Sequence, residues 1–153
     1  IEQVEVSLNA SHSNLGNYIM SQAGDYAFEN VQMYEDYTVN AVKDDGYLNG
    51  VSTLDLVLIQ RHILGVEQLG SPYKIIAADV NNSRDISAID LIELRKLILG
   101  VYDELPQNDS WRFVESDFEF VDPAHPWPFS EEVSFNKKKA DHQYKFDDQP
   151  SNI

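Results

Sequence analysis

Residues 79–90 read DVNNSRDISAID, with side-chain oxygens on Asp79, Asn81 and Ser83 at every second position and a carboxylate, Asp90, at the twelfth. A strand would alternate these oxygens with apolar residues, but of Val80, Asn82 and Arg84 only the first is apolar, so the spacing does not sort two faces. It suits a hard divalent cation instead. Calcium takes about six to eight oxygens, and a 12-residue loop collects them from positions 1, 3, 5, 7 through a main-chain carbonyl, 9 often through water, and 12. Counted from Asp79, these places fall on Asp79, Asn81, Ser83, the carbonyl of Asp85, Ser87 and Asp90. Two places depart from the rule. Position 6, where glycine serves the sharp turn, is Arg84, and position 12 is Asp rather than Glu, a shorter arm that requires a helix start close to the ion. The alternative is a plain polar turn followed by Ser87 or Asp90 as a helix N-cap.

The elements that would position this loop come as a repeat. Residues 51–66, VSTLDLVLIQRHILGV, and 86–101, ISAIDLIELRKLILGV, lie 35 apart and share seven of sixteen columns. Leu56, Ile59 and Ile63 in the first copy, and Leu91, Leu94 and Ile98 in the second, have helical spacing; Gly65 and Gly100 stand just past each end. Two helices of about three turns with glycine stops are therefore expected. Leu58, Leu64, Leu97 and Leu99 broaden their apolar faces, so the two helices should pack on each other. Ser71 and Pro72 open a short helix leading into the second loop.

The first loop is looser. Counting back from Asp55 puts Asp44 at position 1, but Gly46 and Leu48 then fall at positions 3 and 5. An ion there would have to use Asp44, Asp45, Asn49 and Asp55 with more carbonyls or water; the alternative is an Asp45–Gly46 turn capped by Ser52 or Asp55.

Residues 43–105, two loop–helix copies of which the second carries D-x-N-x-S…D-L…L-I-L-G in full and the first in part, resemble a type I dockerin. The resemblance implies two EF-hand-type loop–helix units packed antiparallel about a pseudo-two-fold axis, calcium as a requirement for folding, and docking onto a cohesin-like receptor. It carries ligand roles to Asp79, Asn81, Ser83, Asp85 and Asp90, and to Asp44 and Asp55. At the cohesin-contacting places, often Ser-Thr in that family, this chain has Thr53-Leu54 and Ala88-Ile89, with Gln60-Arg61 and Arg95-Lys96 further along the helices. GDYAFENVQMYEDYTVNAV, residues 24–42, is similar to the ending of immunoglobulin-like or Cna-B-like β units that precede dockerin-like pairs in large secreted proteins of the Bacteroidetes type.

Composition bounds the partners. Of 153 residues, 26 are acidic and 11 basic, a net charge of -15 spread over the whole chain, which disfavours nucleic acid and anionic membrane surfaces. With no cysteine there is neither a disulfide framework nor a zinc–thiolate site. No apolar run approaches the roughly 18 residues of a membrane span. The start at Ile1 is expected of a processed protein or a piece of a longer one. A calcium module without disulfides suits an exported protein bathed in millimolar calcium.

The flanks read as β. VEVSL, DYAFENV and YTVNAV lie in residues 1–42, interrupted by Gly16 and Gly24, whereas a sandwich needs about seven strands. WRFVESDFEFV, EVSFN and YKF, within 107–153, are the candidates to complete it, giving a discontinuous domain of 1–42 with 107–153 around the module at 43–106; a strand from a neighbouring copy is the other source. The expected class is thus α+β, a two-helix dockerin-like module plus a β-sandwich-like domain. Trp111, Phe113, Trp127 and Phe129 read as core plugs rather than a sugar platform.

No catalytic constellation competes. His12, His62, His125 and His142 stand apart, no nucleophile turn or phosphate loop is present, and acid pairs alone do not argue for glycoside hydrolysis. Lys137, Lys138 and Lys139 read as a solvated turn, and Asn9, Asn81 and Asn108 fit the glycosylation sequon. The expectation is a non-enzymatic, extracellular, calcium-stabilised structural or assembly module, a subunit of a secreted filament or surface protein joined to neighbouring copies by strand pairing. The alternatives are a dockerin bound to a cohesin-like receptor and an accessory module of a carbohydrate-active enzyme.

Overall fold

The computed structural model describes residues 3–10, 13–19, 24–29, 31–32, 35–136 and 146–147. His12, His142, the Lys137, Lys138 and Lys139 run, and Tyr144 and Lys145 of YKF lie outside them. The chain forms two compact units, one from the described parts of 1–43, 113–118 and 130–148, the other from 44–112 with 119–129.

In the β unit, β1 (Glu5–Ala10), β2 (Ser13–Ile19), β3 (Asp36–Val42) and β5 (Glu132–Asn136) form an antiparallel sheet in the order β2-β1-β3-β5. Alternate residues turn inward: Val6 and Leu8 on β1, Tyr37, Val39 and Ala41 on β3, and Val133 on β5 are all buried. The register sets Leu8 opposite Val39, Val6 opposite Ala41 and Tyr37 opposite Phe135, whose rings lie 5.7 Å apart. The Tyr37 hydroxyl donates to the Gln32 carbonyl at 2.9 Å, which satisfies its polar end. A second, two-stranded sheet pairs β4 (Val114–Glu115) with β6 (Phe146–Asp147).

Two expectations about strands are corrected. DYAFENV forms no strand among its described residues, although Tyr26 and Phe28 are half-buried and Asp25, Ala27 and Glu29 exposed. The alternation is real, but among the described residues it is not accompanied by strand pairing. Conversely, β2 runs through Gly16, which the sequence reading took as a break; opposite Leu8, it holds its place as an outer strand by main-chain pairing with β1.

In the helical unit, α1 (Thr53–Ile63) and α3 (Ala88–Ile98) are the two copies of the repeat, and α2 (Pro72–Ala78) is the expected lead-in. Ile59, Leu69, Ile75, Ala78, Val80, Leu94 and Leu97 make the core. Both long helices end alike: Gly65 donates to the His62 carbonyl at 2.9 Å and Val66 to Arg61 at 2.9 Å, while Gly100 donates to Leu97 at 3.0 Å and Val101 to Lys96 at 2.9 Å. This Schellman closure needs a positive φ at the glycine, +66° at Gly65 and +68° at Gly100.

Residues 107–112 and 119–129, assigned from sequence to the β flank, lie in the helical unit. The reason is side-chain chemistry. Trp127 packs, partly buried, on the helical core, Phe120 meets Tyr73 edge-on at 5.5 Å, and Arg112 stacks over Phe129 at 5.3 Å, so these aromatics make their contacts within the helical unit.

Candidate metal centre

The second loop begins where α2 ends and closes where α3 starts. Asp79 follows the last turn of α2, and its carboxylate receives the main-chain N–H groups of Ser83 and Arg84, each at 2.8 Å, on its two oxygens. That fold-back requires a reversal of the chain, which Asn82 (φ +55°) and Arg84 (φ +65°) provide. The glycine place is therefore filled by an arginine in the left-handed region, at a cost of about 1–2 kcal/mol that the amide bond to Asp79 helps offset.

At the other end Asp90 does two jobs. One oxygen accepts from the Ser87 N–H at 2.8 Å and hydroxyl at 3.1 Å, closing a capping box on α3, and the other accepts from the Asn81 N–H at 3.2 Å. Cap and loop closure are thus the same residue. Asn81 Oδ1 accepts from Ser83 N at 3.1 Å, and the Ser83 hydroxyl donates to the Asp85 carbonyl at 3.2 Å. Asp79, Asn81, Ser83, the Asp85 carbonyl and Asp90 are linked in one turn of chain.

Burial gives this loop its electrostatic character. Asp79 is 2% exposed and Asp90 0% exposed, and the donors to both are neutral amides and hydroxyls. Two carboxylates buried in one loop repel and are desolvated, conditions that a bound cation relieves. Burial, with the nearby Asp90 charge, pushes the Asp79 carboxyl above its ordinary value despite the Ser83 and Arg84 amides that favour its anion. Among the described residues no three Asp, Glu, His or Cys side chains gather as metal ligands. The loop's oxygens are instead a mixed set of two carboxylates, an amide, a hydroxyl and a carbonyl, the all-oxygen set that suits calcium, whereas protein zinc sites are built mainly on Cys and His. The residues fit calcium, which would supply positive charge to the buried pair.

A pH dependence follows. Between the ordinary carboxylate value and its raised native one, Asp79 binds more protons folded than unfolded, so in chelator its contribution to stability falls as pH rises through that window. In calcium the ion competes with that proton. Calcium affinity is expected to weaken as pH falls from 7 through the raised Asp79 titration, with proton release on binding. Calorimetry in buffers of different ionisation enthalpy checks this; affinity independent of pH down to 4 would contradict it.

The first loop assembles differently. Asp55 is buried and caps α1 through the Ser52 N–H at 2.5 Å and hydroxyl at 3.0 Å. Asp44, Asp45 and Asn49 are exposed, and Asp44 Oδ1 is taken by the Tyr47 hydroxyl and by the Ser110 N–H at 3.0 Å. Burial and the Asp44 carboxylate push the Tyr47 phenol well above its ordinary value.

Sequence reasoning missed the strap formed by residues 108–112. The Asn108 amide donates to the Asp79 carbonyl at 2.8 Å, and Arg112 donates to Asn108 Oδ1 at 3.0 Å and Asn82 Oδ1 at 3.1 Å. The one local signal, the Asn108–Ser110 sequon, pointed to glycosylation. The structure uses that amide inside the unit.

No curated protein and no solved structure matches the chain. A family model does: residues 44–99, from the first loop through α3, match the dockerin type I domain, so this stretch of the chain is similar to that family.

Proposed function

We propose that the helical unit is a calcium-stabilised, non-enzymatic docking module that binds a cohesin-type partner outside the cell, with the β unit as its covalent support and its two sheets as the layers of a small sandwich. The match at 44–99 supports the partner class. One observation carries the docking surface: on α1, α3 and the turns that follow them, the exposed apolar residues other than Ile63 come in pairs 35 apart, Leu54 with Ile89, Val57 with Ile92, Leu64 with Leu99 and Val66 with Val101. The first three pairs follow helical spacing and form one outward stripe per helix, too extended for chance exposure of single residues. Of the basic residues at the helix contact places, Arg61 pairs with Glu67 at 2.8 Å and Lys96 with Glu93 at 2.9 Å, while Arg95 is exposed and stands beside the apolar stripe of α3 as a further contact.

The test is binding of the whole chain to an immobilised type I cohesin domain in calcium. Changing both stripes together, Leu54→Asp with Ile89→Asp, is expected to weaken binding roughly 100-fold or more, since a charge in an interface centre is costly, while leaving the melting temperature near that of the parent. Unchanged binding in that variant, or no binding by the parent, would contradict the reading.

Self-assembly into a filament is a second reading, on a narrower basis. β2 and β5 are the outer strands of the four-stranded sheet, and a strand added to either would join copies. Because β5 already supplies the fourth strand from the same chain, the sheet does not require a neighbour for it.

A further inference from the structure

Resting on the calcium reading above, we infer that the chain holds a single calcium ion, in the second loop, and that the first loop is closed by protein donors, Tyr47 and Ser110, in the place an ion would take. The two loops have the same length and lead into helices with the same capping box, so a common path is the expectation. They nevertheless turn at different places. The second reverses at Asn82 and Arg84, positions 4 and 6, whereas the first reverses at Gly46 (φ +61°) and Gly50 (φ +80°), positions 3 and 7.

The consequences reach each ligand place. Gly46 and Leu48 supply no side-chain oxygen at positions 3 and 5. The Gly46 carbonyl is engaged in a tight turn by the Asn49 N–H at 2.6 Å. Asp79 gathers amides from its own loop, but Asp44 Oδ1 receives the Tyr47 hydroxyl and, from 66 residues away, the Ser110 amide. Donors also reach Asp79, but from positions 5 and 6 of its own turn; those on Asp44 come from Tyr47 at position 4 and from Ser110 outside the loop, and with no side-chain oxygen at positions 3 and 5 the first loop lacks a calcium ligand set. The first loop therefore does another task. It anchors the middle of the 108–112 strap, whose ends, Asn108 and Arg112, brace the second loop at the Asp79 carbonyl and at Asn82.

Counting ions bound to the whole chain by native mass spectrometry across millimolar calcium tests this. One ion is expected, lost in Asp79→Asn and retained in Asp44→Asn, and Tyr47→Phe should lower the melting temperature equally in calcium and in chelator. Two ions, or a Tyr47→Phe loss confined to calcium, would overturn the inference while leaving the calcium reading intact. No bound ion would remove both. Should Asp44→Asn fail to fold, the count on the parent chain and the Tyr47→Phe comparison still decide.

Discussion

Asp90→Ala, measured in saturating calcium, is expected to destabilise the helical unit by about 5–7 kcal/mol, against about 1 kcal/mol for Asp44→Ala. The difference follows from what each carboxylate holds. Asp90 is fully buried and serves the Ser87 cap and the Asn81 amide at once, so its removal costs about 1 kcal/mol for the cap and about 1–3 for the stranded amide. A lost ion adds about 2.7 kcal/mol at a calcium concentration of about 100 times the dissociation constant. Asp44 is exposed, and its removal costs the Tyr47 and Ser110 hydrogen bonds but neither a helix cap nor a buried carboxylate. Asp79→Ala should behave like Asp90→Ala in calcium yet cost less in chelator, because the charge removed there is a desolvated one beside another. Denaturant unfolding with and without calcium measures all three. Equal losses at positions 44 and 90 in calcium would show that the first loop contributes as the second does.

Much of this site was legible because it is local. Twelve consecutive residues carry the second loop, and the 35-residue repeat carries the helices, their caps and their glycine stops. Arg84 was visible as a misfit, and its positive φ shows that the loop keeps the turn and accepts the strain. The strap was not legible, since its bonds join residues 29 and 66 apart and follow no periodicity. For the same reason residue pattern alone gives 107–112 and 119–129 to the β flank. Only contacts made after folding assign them to the helical unit. In the β unit, alternation located β1 and β3 but over-read DYAFENV, because period-two burial marks an extended chain and not its pairing. β2 escaped because an outer strand pairs through its main chain, which leaves little imprint on residue type.

Calcium as the stabilising ligand of the second loop is the central claim, and its consequence for thermal stability is large. An ion that binds the folded loop and not the unfolded chain stabilises by mass action, about 2.7 kcal/mol at 100 times the dissociation constant and about 4.1 at 1,000 times. For a unit of this size each kcal/mol moves the midpoint by about 4–8 °C, so a rise of about 10–30 °C is expected between chelator and millimolar calcium. Magnesium at the same concentration should do much less, since it demands near-octahedral geometry and keeps its waters, whereas this loop offers a larger, mixed oxygen set. The direct measurement is calorimetric melting of the whole chain, first in chelator and then across a calcium titration at pH 7. The midpoint is expected to climb with the logarithm of free calcium and to lose that dependence in Asp79→Asn; a midpoint indifferent to calcium up to several millimolar would contradict calcium binding by this loop.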